Sequence, residues 1–190
     1  NGTIPSSLVN MENIVHLMIG ANQLTGTIPS DLWKLNRTIA FFDVDNNNLG
    51  GTLPELTSLQ HLNCLAIGGN MFSGQLPMLP KCAGRLNIEG STLSGLVPED
   101  VCSFFDQYKS VGATICGDAS STCPCCQKCE DRGHRAFCRP GTEARLPGCK
   151  VGPPKDSKPP RSDSDRDGVG GGGDGMGPPP QDDARGGEGS

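Results

Sequence analysis

A chain of 190 residues with 34% hydrophobic and only 4% aromatic residues, 27 Gly and 16 Pro is not expected to be globular throughout. Its net charge of −5 argues against recruitment of nucleic acid or an anionic membrane by bulk electrostatics. No run approaches the roughly 18 apolar residues of a membrane-spanning helix, and ten Cys suit an oxidising compartment better than the cytosol.

In chain order the first feature is a Gly-x-apolar-Pro phrase. It recurs as Gly2-Thr3-Ile4-Pro5, Gly26-Thr27-Ile28-Pro29, Gly51-Thr52-Leu53-Pro54, Gly74-Gln75-Leu76-Pro77 and Gly95-Leu96-Val97-Pro98, at spacings of 24, 25, 23 and 21 residues. Between the phrases, Ile14, Leu17, Ile19, Asn22 and Leu24 align with Ile39, Phe42, Val44, Asn47 and Leu49. The next units supply Leu62, Leu65, Ile67, Asn70 and Phe72, then Ala83, Leu86, Ile88, Ser91 and Leu93. Alternation at Leu17-Met18-Ile19 or Phe42-Asp43-Val44 predicts a short strand with one side buried. The Asn that follows can hydrogen-bond backbone groups of its own turn and the next, while Gly permits a bend and Pro ends the strand. One unit cannot cover its own apolar face, so the units must stack.

Residues 1–98 thus resemble the plant-type leucine-rich repeat, whose phrase reads Leu-x-x-Leu-x-Leu-x-x-Asn-x-Leu-x-Gly-x-Ile-Pro. The resemblance implies an α/β solenoid: a right-handed leucine-rich repeat superhelix with short parallel strands on its concave face. The chain begins midway through a repeat, which leads us to expect a fragment of a longer protein lacking its N-terminal cap.

A second region, 99–150, is expected to be a cysteine-rich cap. Val101, Phe104, Phe105 and Tyr108 have helical spacing and can close the last coil. Cys102, Cys116, Cys123, Cys125, Cys126, Cys129, Cys138 and Cys149 follow. The run resembles the disulfide-rich C-terminal cap of extracellular leucine-rich repeat proteins, and the Cys-x-Cys-Cys-x-x-Cys ending of algal, diatom-type members. Connectivity stays open, because spacing does not determine it. Cys64 and Cys82, alone within the repeats, read either as buried thiols or as a mutual disulfide.

The third region, 151–190, holds eleven Gly and seven Pro and no Leu, Ile or aromatic residue. It cannot offset its ordering entropy by burial and is expected to be disordered.

Several chemistries are weighed and set aside. Cys126, Cys129, His134 and Cys138 nearly spell a zinc knuckle, but Cys138 arrives one residue early and disulfides account for every cysteine. Asp163, Asp165, Asp167 and Asp174 approach a calcium loop, yet Gly170 stands where an apolar anchor is usual and the flanks are not helical. His16, His61 and His134 have no nucleophile or orienting partner at a recognisable spacing, and no Gly-rich phosphate loop precedes a helix. No metal, cofactor or enzymatic activity is expected. Asn1-Gly2-Thr3 and Asn36-Arg37-Thr38 have the form of glycosylation acceptors.

On the concave face, equivalent outward side chains form rows about 4.8 Å apart. One row is His16, Phe41, Cys64 and Arg85; the next Met18, Asp43, Ala66 and Asn87; the third Gly20, Asp45, Gly68 and Glu89. The expected ligand-binding residues are His16, Met18, Phe41, Asp43, Asp45, Arg85, Asn87 and Glu89, with the Asp43–Asp45 pair giving local negative potential. The resemblance implies a non-enzymatic recognition module, extracellular or at a cell surface, for protein, peptide or glycan. No nucleic-acid partner is expected, and a membrane tether is compatible with the parent chain. Two alternatives are an ectodomain fragment of a receptor-like kinase and a structural wall or matrix protein.

Overall fold

The computed structural model describes residues 1–117, 123–127, 137–138, 141 and 143–149. The expectations for Cys129, His134 and the whole 151–190 tail, with its acidic loop, lie outside those residues.

In chain order the elements are β1 (Gly2–Thr3), β2 (His16–Met18), β3 (Leu24–Thr27), β4 (Phe41–Asp43), β5 (Asn48–Thr52), β6 (Cys64–Ala66), β7 (Met71–Ser73), β8 (Arg85–Asn87), α1 (Glu99–Tyr108) and β9 (Thr114–Cys116). They form two parallel sheets, ordered β2-β4-β6-β8-β9 and β1-β3-β5-β7. The first is the concave sheet that the repeat implies. Leu17 pairs with Phe42, Phe42 with Leu65, Leu65 with Leu86, and Leu86 with Ile115. These five are at most 5% exposed and line one continuous core with Val44, Ile67, Leu49 and Phe72. Stacked coils bury what a single coil leaves open. The fold is a leucine-rich repeat solenoid.

The asparagines act as the repeat predicts, with one difference in direction. Asn70 Nδ2 donates to the carbonyls of Ile67 and Gly68 in its own turn and of Val44 in the preceding coil, and its Oδ1 accepts from Leu49 N–H at 3.0 Å. Asn47 repeats the pattern on Val44, Asp45, Ile19 and Leu24. The bonds therefore reach back rather than forward, satisfying backbone groups that the stack would otherwise strand. In the fourth unit, where Ser91 stands in place of Asn, Thr92 Oγ1 reaches back to Phe72 O at 2.6 Å.

The sheet β1-β3-β5-β7 went unread in the sequence, because its strands run through the Gly phrase. Gly26, Gly51 and Gly74 have φ of 82°, 85° and 83°. A Cβ at each would stand 3.1, 2.9 and 3.4 Å from the methyl of Thr3, Thr27 and Thr52 in the preceding coil. Left-handed backbone and close approach together select glycine.

The cap closes the last coil as expected. α1 buries Val101 and Phe105 and packs Phe104 and Tyr108 against the core, with Glu99 and Asp100 favourably placed in its positive first turn. The cap also adds β9 to the concave sheet, a strand that the repeat pattern did not signal. Cys102 pairs with Cys125 and Cys123 with Cys126. Cys116 is also disulfide-bonded.

Cys64 and Cys82 are neither thiols nor partners of each other. Cys64 is bonded to Cys138 and Cys82 to Cys149, across 74 and 67 residues. Both bonds tie repeat to cap, because residues 143–146 lie along the N-terminal ends of the concave strands. There Ala144 O accepts from Asn63 Nδ2 at 3.4 Å and Arg145 N–H donates to Val111 O at 2.9 Å. A Cβ at Gly84 would collide with Ala144 and Leu146, so this close approach requires the glycine. Cys126 and Cys138, two of the four zinc-knuckle positions, are thereby committed as disulfide sulfur.

Candidate recognition surface

The concave strands put the anticipated side chains in the anticipated rows. His16, Phe41, Cys64 and Arg85 are successive neighbours across the sheet, as are Met18, Asp43, Ala66 and Asn87. Period-two alternation sends Leu17 and its equivalents into the core and these residues to the other side.

Their exposure is unequal. His16 and Met18 on β2 face solvent, and the His16 ring lies 4.7 Å from that of Phe41. Arg85, Asn87 and Glu89 are half-buried. Phe41, Asp43 and Asp45, expected to border an open shallow spot, are 1%, 2% and 1% exposed. The spot is filled. Ala40, Phe41, Cys64, Ala66 and Cys138 form a second apolar cluster, joined by Val15 and Phe137, on the side of the sheet away from the core. Cys138 reaches it through its bond to Cys64, and the Arg85 guanidinium stands 4.6 Å from the centre of the Phe137 ring.

Phe137 and Cys138 are the surface residues that the sequence reading missed. They lie outside the repeat and share no period with it, so their position becomes visible only once the Cys64 bond is known.

Burial sets the electrostatics. Asp45 Oδ2 accepts from Asn87 Nδ2 at 2.6 Å. Desolvation, then the neighbouring Asp43 charge, push the Asp45 carboxyl up from 3.8 to about 7 against the opposing Asn87 bond. Asp43 Oδ1 accepts from Asp45 N–H at 3.1 Å. Burial presses Arg85 below its ordinary value, and Glu143 opposes the shift.

No catalytic constellation emerges among the described residues. One cleft of about 130 Å³ is lined by Leu76, Ile88 and Leu93 and by the Cys123–Cys126 disulfide, another of about 160 Å³ by Met78, Leu79, Val101 and Phe104; neither holds a histidine. No group of three or more His, Cys, Asp or Glu among these residues could hold a metal ion, and no helix is long and apolar enough to cross a membrane. Of the glycosylation acceptors, Asn1 is exposed, whereas Asn36 is half-buried and Thr38 buried.

Residues 13–35 match the profile of the Leucine Rich Repeat family. Receptor like protein 24 of Arabidopsis thaliana is 30% identical over 101 residues, covering 52% of this chain and 12% of the relative. Receptor-like protein 35 of the same plant is 36% identical over 76 residues, covering 40% and 8%. The chain thus spans about an eighth or less of these relatives' lengths. Among solved structures, the ectodomain of the Arabidopsis thaliana receptor kinase SOBIR1 aligns with TM-score 0.51 at 26% identity, over 54% of this chain and 57% of that one. The Arabidopsis thaliana BIR2 ectodomain aligns with TM-score 0.50 at 27% identity, over 67% of each chain.

Proposed function

We propose that this leucine-rich repeat solenoid, similar to plant receptor ectodomains, is a non-enzymatic recognition module, displayed outside the cell or on its surface, that binds a protein or peptide ligand. The observation carrying this reading is the concave sheet itself. One unbroken register sets outward side chains in rows, and β2 presents His16 and Met18 to solvent with no charged neighbour on the strand. An aromatic ring and a thioether supply adaptable contact area of the kind that anchors protein interfaces. Resemblance to receptor ectodomains supports the extracellular setting, and the disulfides agree with it. Glycan binding and modification at Asn1 belong to the same reading.

Selection of a phage-displayed random peptide library on the purified full chain tests it. Selected peptides are expected to lose at least tenfold in affinity for the His16→Ala/Met18→Ala double variant. Peptides that bind this variant as tightly as the parent would overturn the concave-surface assignment.

A further inference from the structure

The rows that are open at β2 are covered on β4 and β6 and partly covered on β8. That cover is not part of the coils' own core. Their core lies on the other side of the sheet, and the cluster around Phe41 and Cys64 is separate from it. His16 and Met18 occupy the same rows as Phe41 and Asp43 and stand in solvent without loss of strand pairing. The cover is therefore an added occupant. It consists of an aromatic residue and a cysteine: Phe137 beneath Arg85, and Cys138, fully buried, bonded to Cys64 at the middle of the sheet.

We propose that Phe137 and Cys138 form an autoinhibitory strap, a built-in ligand held on the recognition surface by the Cys64 bond, and that the surface beneath takes an external peptide whose aromatic side chain replaces Phe137 under Arg85. The proposal rests on the concave-surface reading above and adds its regulation and the chemistry of its partner. Three features define the pocket it predicts. The Arg85 guanidinium supplies a face for an aromatic ring. Phe41 and Ala66 supply an apolar floor. Asp43, in the adjoining row opposite Ala66, sets a carboxylate border. Covalent tethering keeps the local concentration of the strap high, so a free peptide competes poorly until a dithiol reductant, itself oxidised to a disulfide, returns Cys64 and Cys138 to thiols.

The test uses the full chain carrying Cys64→Ser, Cys138→Ser and Phe137→Ala together. The probe is a fluorescein-labelled peptide with the sequence of residues 135–140, Arg-Ala-Phe-Cys-Arg-Pro, with serine in place of the cysteine. Hydroxyl-radical footprinting is expected to show labelling of Phe41 rising at least fivefold, and the peptide to bind at least tenfold more tightly than to the parent chain. A control peptide with alanine in place of phenylalanine should lose that gain. Unchanged Phe41 labelling would show that these residues are not the cover. Phe41 uncovered, with probe and control peptides binding alike, would show that the surface is not an aromatic-peptide site. If circular dichroism shows the triple variant unfolded, the same measurements are made on Phe137→Ala with the disulfide intact, where probe binding above control is still required. The underlying recognition reading fails separately, on a selected ligand's indifference to His16 and Met18.

Discussion

Asn70 and Asn22 occupy equivalent places in different coils and differ in burial. Asn70 is 4% exposed and satisfies three carbonyls and the Leu49 N–H, whereas Asn22 bonds two carbonyls at an exposed site. Water can replace the second set and not the first. Asn70→Ala is expected to lower unfolding free energy by about 3 kcal/mol, and Asn22→Ala by under about 1 kcal/mol, in urea titrations. Asp45 gives a pH signature. Its carboxyl is raised from 3.8 to about 7, so the folded state holds a proton that the unfolded state releases. Its contribution to stability is complete below pH 4, declines as pH rises toward 7, and is level above that, at about 1.4 kcal/mol per pH unit across the window. Asp45→Asn is expected to flatten that decline; the difference between variant and parent stability at pH 5, 6, 7 and 8 should grow to pH 7 and then stop. A constant difference would show that Asp45 ionises normally.

Among the elements, the bonds that fasten the cap and those within it differ greatly in span. Cys64–Cys138 joins residues 74 apart and Cys123–Cys126 residues three apart. On loop-closure entropy the first contributes about 4 kcal/mol and the second about 2 kcal/mol. Guanidinium unfolding of Cys64→Ser/Cys138→Ser and of Cys123→Ser/Cys126→Ser is expected to reproduce that order. The reverse order would mean that strap and sheet hold together without their covalent link. α1 needs no such aid for its own docking, since Val101 and Phe105 enter the core directly.

For the molecule as a whole, the coil stack was legible because its causes are local and repeated. Leu17, Phe42, Leu65 and Leu86 recur at the strand period, and Asn47 and Asn70 sit where a turn needs a donor. The strands β3, β5 and β7 were not legible, since glycine reads as a break and the pairing that overrides it comes from the neighbouring coil. The concave surface was legible in its rows and not in its exposure. Alternation says that Phe41, Asp43 and Asp45 leave the core; it does not say what meets them on the other side. For Phe41 that answer lies in Phe137 and Cys138, nearly a hundred residues downstream of it. Cysteine counting likewise could not divide ten sulfurs between repeat and cap, because parity is the same for every division.

The two bonds from repeat to cap impose an order of events on biosynthesis. Synthesis runs from the N-terminus, so Cys64 and Cys82 leave the ribosome before Cys138 and Cys149 exist. During oxidative folding Cys64 and Cys82 meet each other, Cys102 and the cap sulfurs up to Cys129 before Cys138 and Cys149 arrive. A Cys64–Cys82 link is one mispairing open to them, and any such link needs thiol exchange before either sulfur reaches its distant mate. Refolding of the reduced chain is accordingly expected to reach these two pairings faster in a thiol buffer than under oxygen alone.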